Sequence, residues 1–348
     1  MMKKVFFGSN NSINEKFFMD VKEDTEIEYC DFYEKLNSKI KKFFFKQKVL
    51  KLMPFSLKKI IFRKVLNYDF LKNSGKGYLF VFCNSYELFG DPQFVLFLKF
   101  LKRNFKNSKF AFYYYDVIAS CYPEQFAFLK KEFDFILTFN RFCADKYNVE
   151  FYGPICENII EPPMSQGEES DIFYAANVNG GAHDDHYRLD LIMDVFKYAT
   201  DNNRKCIFYL NRTKESDLKF IRDLLPSCIL SKDLKNLQYK QSTIVFEYSS
   251  YYKSLAYIDK CKCMLEIVLP ANYAMCTARL AQAMVRHKKL LTNCIDIKNE
   301  KFYNSNNILI FDKLEDIDFN DIDLPFEKVN HNFSGKALID HIENELCK

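Results

Sequence analysis

A chain of 348 residues, at roughly 150 residues per domain, predicts two domains, and its 48% apolar and 28% charged composition excludes a disordered or fibrous chain. Only 9 glycines stand against 37 Phe and 22 Tyr, and neither G-x-G-x-x-G nor G-x-x-x-x-G-K-[ST] occurs, so a phosphate must be gripped without a glycine-rich loop. The net charge of +4 is unevenly divided: residues 1–150 hold 26 Lys+Arg against 17 Asp+Glu, a balance of +9, and the remainder holds 24 against 29, a balance of −5, which points the first half at something anionic.

Residues 3–8 predict a short buried strand. Between Lys39 and Lys72 lie eleven basic residues and a single acid, Asp69, interleaved with Phe43, Phe44, Phe45, Phe55, Ile60, Ile61 and Phe62, and Pro54 divides the stretch into two helical pieces. Such a segment suits adsorption to anionic lipid, with Lys41, Lys42, Lys58 and Lys59 among the contacts; it reads equally as a solvated helix face over an ordinary core. Strands and helices then alternate: Tyr78–Cys83, Pro92–Lys106, Phe110–Tyr115, Glu124–Glu132, Phe135–Thr138 and Phe142–Tyr147. This order implies a parallel sheet covered on both faces.

Residues 153–170, with Gly153-Pro154 and Pro162-Pro163, form the best linker, dividing a domain at 1–152 from one at 171–325. The second series runs Ile172–Ala175, Tyr187–Thr200, Cys206–Leu210, Asp217–Leu225, Thr243–Phe246, Tyr252–Asp259, Cys263–Val268, Thr277–His287 and Lys289–Thr292. Residues 326–348 end in a closing helix at Ala337–Glu345. The expected fold class is therefore α/β, with two Rossmann-like domains facing a cleft and a ligand outside the carboxyl ends of the strands.

The twelve cysteines are scattered, and the one close pair, Cys261-x-Cys263, lacks zinc-ligand spacing. Buried thiols in a reducing cytosol are expected. The first apolar run is too short for a signal peptide, and no 18-residue apolar stretch occurs. Gly180-Gly181 lies between a predicted strand and the helix containing Arg188, where backbone N–H groups can approach a phosphate; a plain turn uses the same residues. His183-Asp184-Asp185-His186 beside it better suits helix capping than metal binding. Glu266, between Leu265 and Ile267, is expected to be buried and so to need a partner such as Arg279. Thr277 and Arg279 at a helix start can hold a phosphate, and Gln282, one turn later, can bond a ribose hydroxyl.

The run from Met264 to Asn293 has an acid in a strand, a Thr-x-Arg helix start, the pair Gln282-Ala283 and then Lys288-Lys289-Leu290-Leu291-Thr292-Asn293. It resembles the donor half of GT-B glycosyltransferases. More narrowly, it is similar to the group found in bacterial O-antigen, capsule and lipooligosaccharide gene clusters. Tyr113-Tyr114-Tyr115-Asp116, Phe133-Asp134-Phe135 to Phe139-Asn140, and Asp171-Ile172-Phe173-Tyr174 also fit that group, so the similarity spans most of residues 78–310. The family usually has Glu where Gln282 stands, and more Gly between Glu266 and Thr277.

The resemblance implies an N-terminal acceptor domain and a C-terminal domain holding a nucleotide-sugar donor, a UDP-sugar first of all, with no cofactor and no catalytic metal. Donor binding is expected from Gly180, Gly181, Arg188, Glu266, Thr277, Arg279 and Gln282. An inverting enzyme needs a base, for which Asp116 at a strand's carboxyl end is best placed, ahead of Glu87 and Asp91. Asp321-Ile322-Asp323 resembles a metal-binding D-x-D but lies outside the Rossmann pattern. The acceptor expected is a lipid-linked saccharide, and the location the inner face of the cytoplasmic membrane. A non-catalytic GT-B-like subunit of a polysaccharide assembly complex is the alternative; a nucleic-acid-binding protein is a weaker one, because no nucleic-acid motif accompanies the basic stretch.

Overall fold

The chain is α/β, as the alternation of elements predicts, and each half builds its own sheet. The computed structural model describes residues 2–8, 17–31, 54, 57, 60, 68–72, 77–84, 92–114, 123–156, 167–177, 187–211, 213–268 and 277–347. It divides into two units, Met1–Ile159 together with Asn332–Lys348, and Ile160–His331.

The first unit contains β1 (Lys3–Gly8), α1 (Met19–Glu23), β2 (Ile27–Asp31), β3 (Tyr78–Asn84), α2 (Pro92–Asn104), β4 (Lys109–Tyr114), α3 (Pro123–Glu132), β5 (Phe135–Thr138), α4 (Arg141–Tyr147) and β6 (Glu150–Phe151). Its strands run in the order β2-β1-β3-β4-β5-β6, every pair parallel. Parallel strands buried on both faces need near-continuous apolar sequence, and here Phe supplies it. On one face Phe7 stacks on Phe82 at 4.4 Å between ring centroids, and Phe80 on Phe110 at 5.1 Å. Phe6, Leu79 and Val81 are buried on the other. Each such side chain contributes about 1.5–3 kcal/mol by leaving water, which accounts for a chain so rich in Phe. Asn140 starts α4 by accepting a bond from the Cys143 N–H at 2.8 Å, and Asn148, at φ 51°, ends it in the left-handed conformation that Asn tolerates.

The second unit contains β7 (Ser170–Asn177), α5 (Tyr187–Asp201), β8 (Cys206–Asn211), α6 (Glu215–Leu224), β9 (Ile229–Leu230), β10 (Asn236–Tyr239), β11 (Ser242–Val245), α7 (Tyr251–Lys260), β12 (Cys261–Glu266), α8 (Ala278–Val285), β13 (Lys289–Thr292) and β14 (Ile308–Ile310). The spatial order is β14-β13-β12-β7-β8-β11-β10-β9. From β14 to β11 every pairing is parallel, and the β9–β10 hairpin extends that sheet antiparallel. The chain therefore builds outward from β7 in one direction, returns, and builds outward from β12 in the other. That reversal lies at the carboxyl ends of β7 and β12, the place where ligands of doubly wound sheets bind. Burial holds the thiols of Cys83 and Cys263 well above their ordinary range and pushes Cys206 and Cys261 up to about 12, so they behave as small hydrophobes.

A final helix, α9 (Gly335–Leu346), returns to the first unit. Ser334 caps it, its hydroxyl accepting from the Ala337 N–H at 3.1 Å. Lys4 on β1 is buried and pairs with Asp340 at 3.0 Å and Glu343 at 2.8 Å. Gly335 is dictated by closeness: a Cβ there would lie 2.6 Å from Phe18 Cδ1.

Candidate functional site

Two arginines cross the reversal point of the second sheet. Arg279, in the first turn of α8, donates from Nη2 to the Ala175 carbonyl of β7 at 3.0 Å, and its guanidinium stands over the Tyr174 ring at 5.6 Å. Arg188, in the first turn of α5, donates from Nη2 to the Ile267 carbonyl just beyond β12 at 3.1 Å. Thus the helix after β12 reaches back to β7, and the helix after β7 reaches across to β12. Both residues are half-buried. Each arginine is 79 positions or more from the carbonyl it bonds, and the doubly wound topology makes both contacts.

Glu266 ends β12 with none of its surface exposed. The Arg279 charge expected beside it does act on the carboxyl, while its side-chain hydrogen bonds come from two hydroxyls. Thr277 Oγ1 donates to Oε1, and Thr292 Oγ1 donates to Oε2 at 3.4 Å. Thr277 is also the cap of α8, its hydroxyl accepting from the Arg279 N–H at 3.2 Å. A chain of bonds therefore runs from the Arg279 backbone through Thr277 to the buried carboxyl. The hydroxyl proton of Thr277, expected to meet a phosphate, is spent on Glu266. Burial pushes the Glu266 carboxyl above the ordinary glutamate range, and the Thr277 hydroxyl and the Arg279 charge oppose that rise without cancelling it.

Three asparagines that the reading of motifs did not single out for this role tie the strand ends at the reversal point. Asn293, following β13, accepts from the Val268 N–H at 2.8 Å and donates to the Val268 carbonyl at 2.9 Å. This pins the chain beyond β12 to the next strand. Asn211 Nδ2 donates to Asn177 Oδ1 at 2.7 Å, bridging the ends of β8 and β7. Gln282 is half-buried on α8, one turn beyond Arg279. Asp116, Gly180, Gly181, Lys41, Lys42, Lys58 and Lys59 lie outside the described residues. Asp323, of the D-x-D-like sequence, is held by Arg204 at 2.6 Å and Lys262 at 2.7 Å, in an ion cluster that also reaches Asp171.

The position of Glu266 has a pH consequence. Its folded-state pKa is raised, so between the ordinary glutamate value and its own, the folded chain holds more protons than the unfolded one, and stability falls as pH rises through that window. Glu266→Gln should flatten this fall and leave the protein no less stable at neutral pH. Denaturant unfolding of both proteins from acid to neutral pH measures it; an equally steep loss in the variant would refute the assignment to Glu266.

The sequence matches no family model and no curated protein. Solved structures with a similar trace include MnaA of S. aureus with UDP, at 10% identity over 99% of this chain and 97% of that one, TM-score 0.48. The UDP-GlcNAc 2-epimerase of Methanocaldococcus jannaschii, in complex with UDP-GlcNAc and UDP, aligns at 14% identity over 100% and 99% of the two chains, TM-score 0.45. The α,α-trehalose 6-phosphate synthase of Burkholderia multivorans aligns at 10% identity over 84% of each, TM-score 0.42.

Proposed function

We propose that the chain is a nucleotide-sugar glycosyltransferase of GT-B type and that the reversal point of its second sheet is the donor site. The crossed pair Arg188 and Arg279 carries the reading. Arg279 is bonded to the Ala175 carbonyl, a neutral acceptor that a diphosphate outcompetes, because charge-assisted bonds are about twice as strong as neutral ones, and Arg188 bonds the Ile267 carbonyl beyond the neighbouring strand. The resemblance of Met264–Asn293 to the donor half of that enzyme class supports it from the sequence side. In transfer, an acceptor hydroxyl attacks the anomeric carbon as the bond from that carbon to the diphosphate oxygen breaks. The nucleoside diphosphate leaves with the electron pair, its growing charge met by Arg279, Arg188 and the backbone N–H groups of Gly180 and Gly181, an arrangement that needs no metal. In an inverting reaction Asp116 takes the acceptor proton. Gln282 bonds the ribose, a UDP-sugar is the donor, and a lipid-linked saccharide of bacterial surface-polysaccharide assembly is the acceptor, met at the inner face of the membrane through Lys41, Lys42, Lys58 and Lys59.

Thermal unfolding against UDP-, GDP-, CMP- and dTDP-sugars tests the donor site, since a ligand at 100 times its Kd adds about 2.7 kcal/mol. A rise of several degrees with one nucleotide class is expected, and no rise with any would overturn the reading. Binding without hydrolysis or transfer would favour the non-catalytic subunit, to which Gln282 in place of the usual Glu also points. Neutralising the four lysines should release the protein from anionic vesicles; persistent sedimentation with them would refute the membrane part.

A further inference from the structure

Tyr174 lies on β7 with 1% of its surface exposed. Its hydroxyl oxygen is shielded and has no hydrogen-bond partner among the described residues. An orphan hydroxyl in apolar surroundings is expensive to keep, and this chain places Phe freely in such positions. Phe208, directly opposite Tyr174 on β8, is one, with ring centroids 5.5 Å apart. If only the ring mattered, Phe would serve better at 174. Tyr78 also carries an orphan hydroxyl, but at the amino end of β3, away from the reversal point of its sheet. Tyr174 instead adjoins the reversal point of the second sheet. It precedes Ala175, whose carbonyl holds Arg279, and the same guanidinium stands over its ring. On its other side it shares an apolar cluster with Leu189, the neighbour of Arg188.

We infer that Tyr174 is a donor-site residue, its hydroxyl donating a hydrogen bond to a diphosphate oxygen of the nucleotide. This rests on the reading of the reversal point as the donor site. The incoming anion draws Arg279 off the Ala175 carbonyl, and the hydroxyl that the guanidinium leaves behind completes the anion's shell. The tyrosine is thus unsatisfied in the empty protein and satisfied in the loaded one, a stability loss kept for binding.

Full-length wild type and Tyr174→Phe are titrated calorimetrically with UDP, GDP, dTDP and CMP, and each is unfolded thermally without ligand. The nucleotide that binds wild type should bind Tyr174→Phe roughly tenfold more weakly, the size of one hydrogen bond to a charged group, while the melting temperature of the empty variant is equal or higher. Equal affinity would overturn the role of Tyr174 and leave the donor site standing. A lower melting temperature would also overturn it, because the hydroxyl would then have a structural partner. A wild type that binds none of the four would remove the donor site and this inference with it.

Discussion

Arg279→Ala should weaken nucleoside diphosphate binding by roughly 100-fold or more, the loss of two charge-assisted bonds of about 1.5 kcal/mol each, and leave the chain folded. The residue is half-buried and its bond to Ala175 is a single one to a carbonyl, so the structural loss is about 1 kcal/mol. One coupling must be separated out. The Arg279 charge helps to hold down the raised pKa of Glu266, so removing it raises that carboxyl further and subtracts stability at neutral pH. In a Glu266→Gln background that contribution vanishes, and the affinity loss should persist. Arg279→Lys keeps the charge but not the planar fork and should fall between wild type and Arg279→Ala. Calorimetric titration with UDP reads all four proteins, and wild-type affinity in Arg279→Ala would sink the donor assignment.

Period and composition identify the elements that carry a continuous apolar run. Tyr78–Asn84, Lys109–Tyr114, Cys206–Asn211 and Lys289–Thr292 lie in the sheets, and the sequence alone places each within a residue or so. The elements it omits are short or sit near the edges: β2 reads Ile27-Glu28-Tyr29-Cys30-Asp31 with acids on it, β14 has three residues, and β9 and β6 have two each. Edge strands are kept short and charged to prevent pairing with other chains, which removes the signal that would announce them. The destination of the last helix was equally hidden. Lys4, buried against Asp340 and Glu343, joins the first strand to the last helix across a separation that no local pattern announces. In the site, the motif around Thr277 and Arg279 was legible as local sequence, yet their partners were not. Ala175 is 104 positions from Arg279, and Thr292 is 26 from Glu266; the topology of the sheet sets both contacts. Tyr174 was read only as part of a strand, because an orphan hydroxyl becomes visible once the packing around it is known.

Asp259→Ala should destabilise the second unit by about 3 kcal/mol, at the lower end of the 3–5 kcal/mol for breaking a buried ion pair. Asp259, near the end of α7, meets Arg286 at the end of α8 at 2.6 Å, with the arginine side chain 2% exposed and the aspartate 17%. Removing the carboxylate takes an ion-pair partner from a cation that water cannot reach, whereas removing the cation leaves a carboxylate that water partly can. Arg286→Met should therefore cost less, about 1–2 kcal/mol, since its apolar stem replaces most of the lost packing. For a unit of this size 3 kcal/mol is a drop of roughly 6–12 °C in melting temperature. The pair ties the far ends of two helices flanking β12, while the first turn of α8 is held separately by Thr277 on Glu266. Nucleotide affinity measured well below the lowered melting temperature should accordingly change less than about threefold. Equal losses from both substitutions would show that burial does not set the energy of this pair. A large loss of affinity in Asp259→Ala would show instead that the Thr277–Glu266 bond cannot hold Arg279 in place by itself.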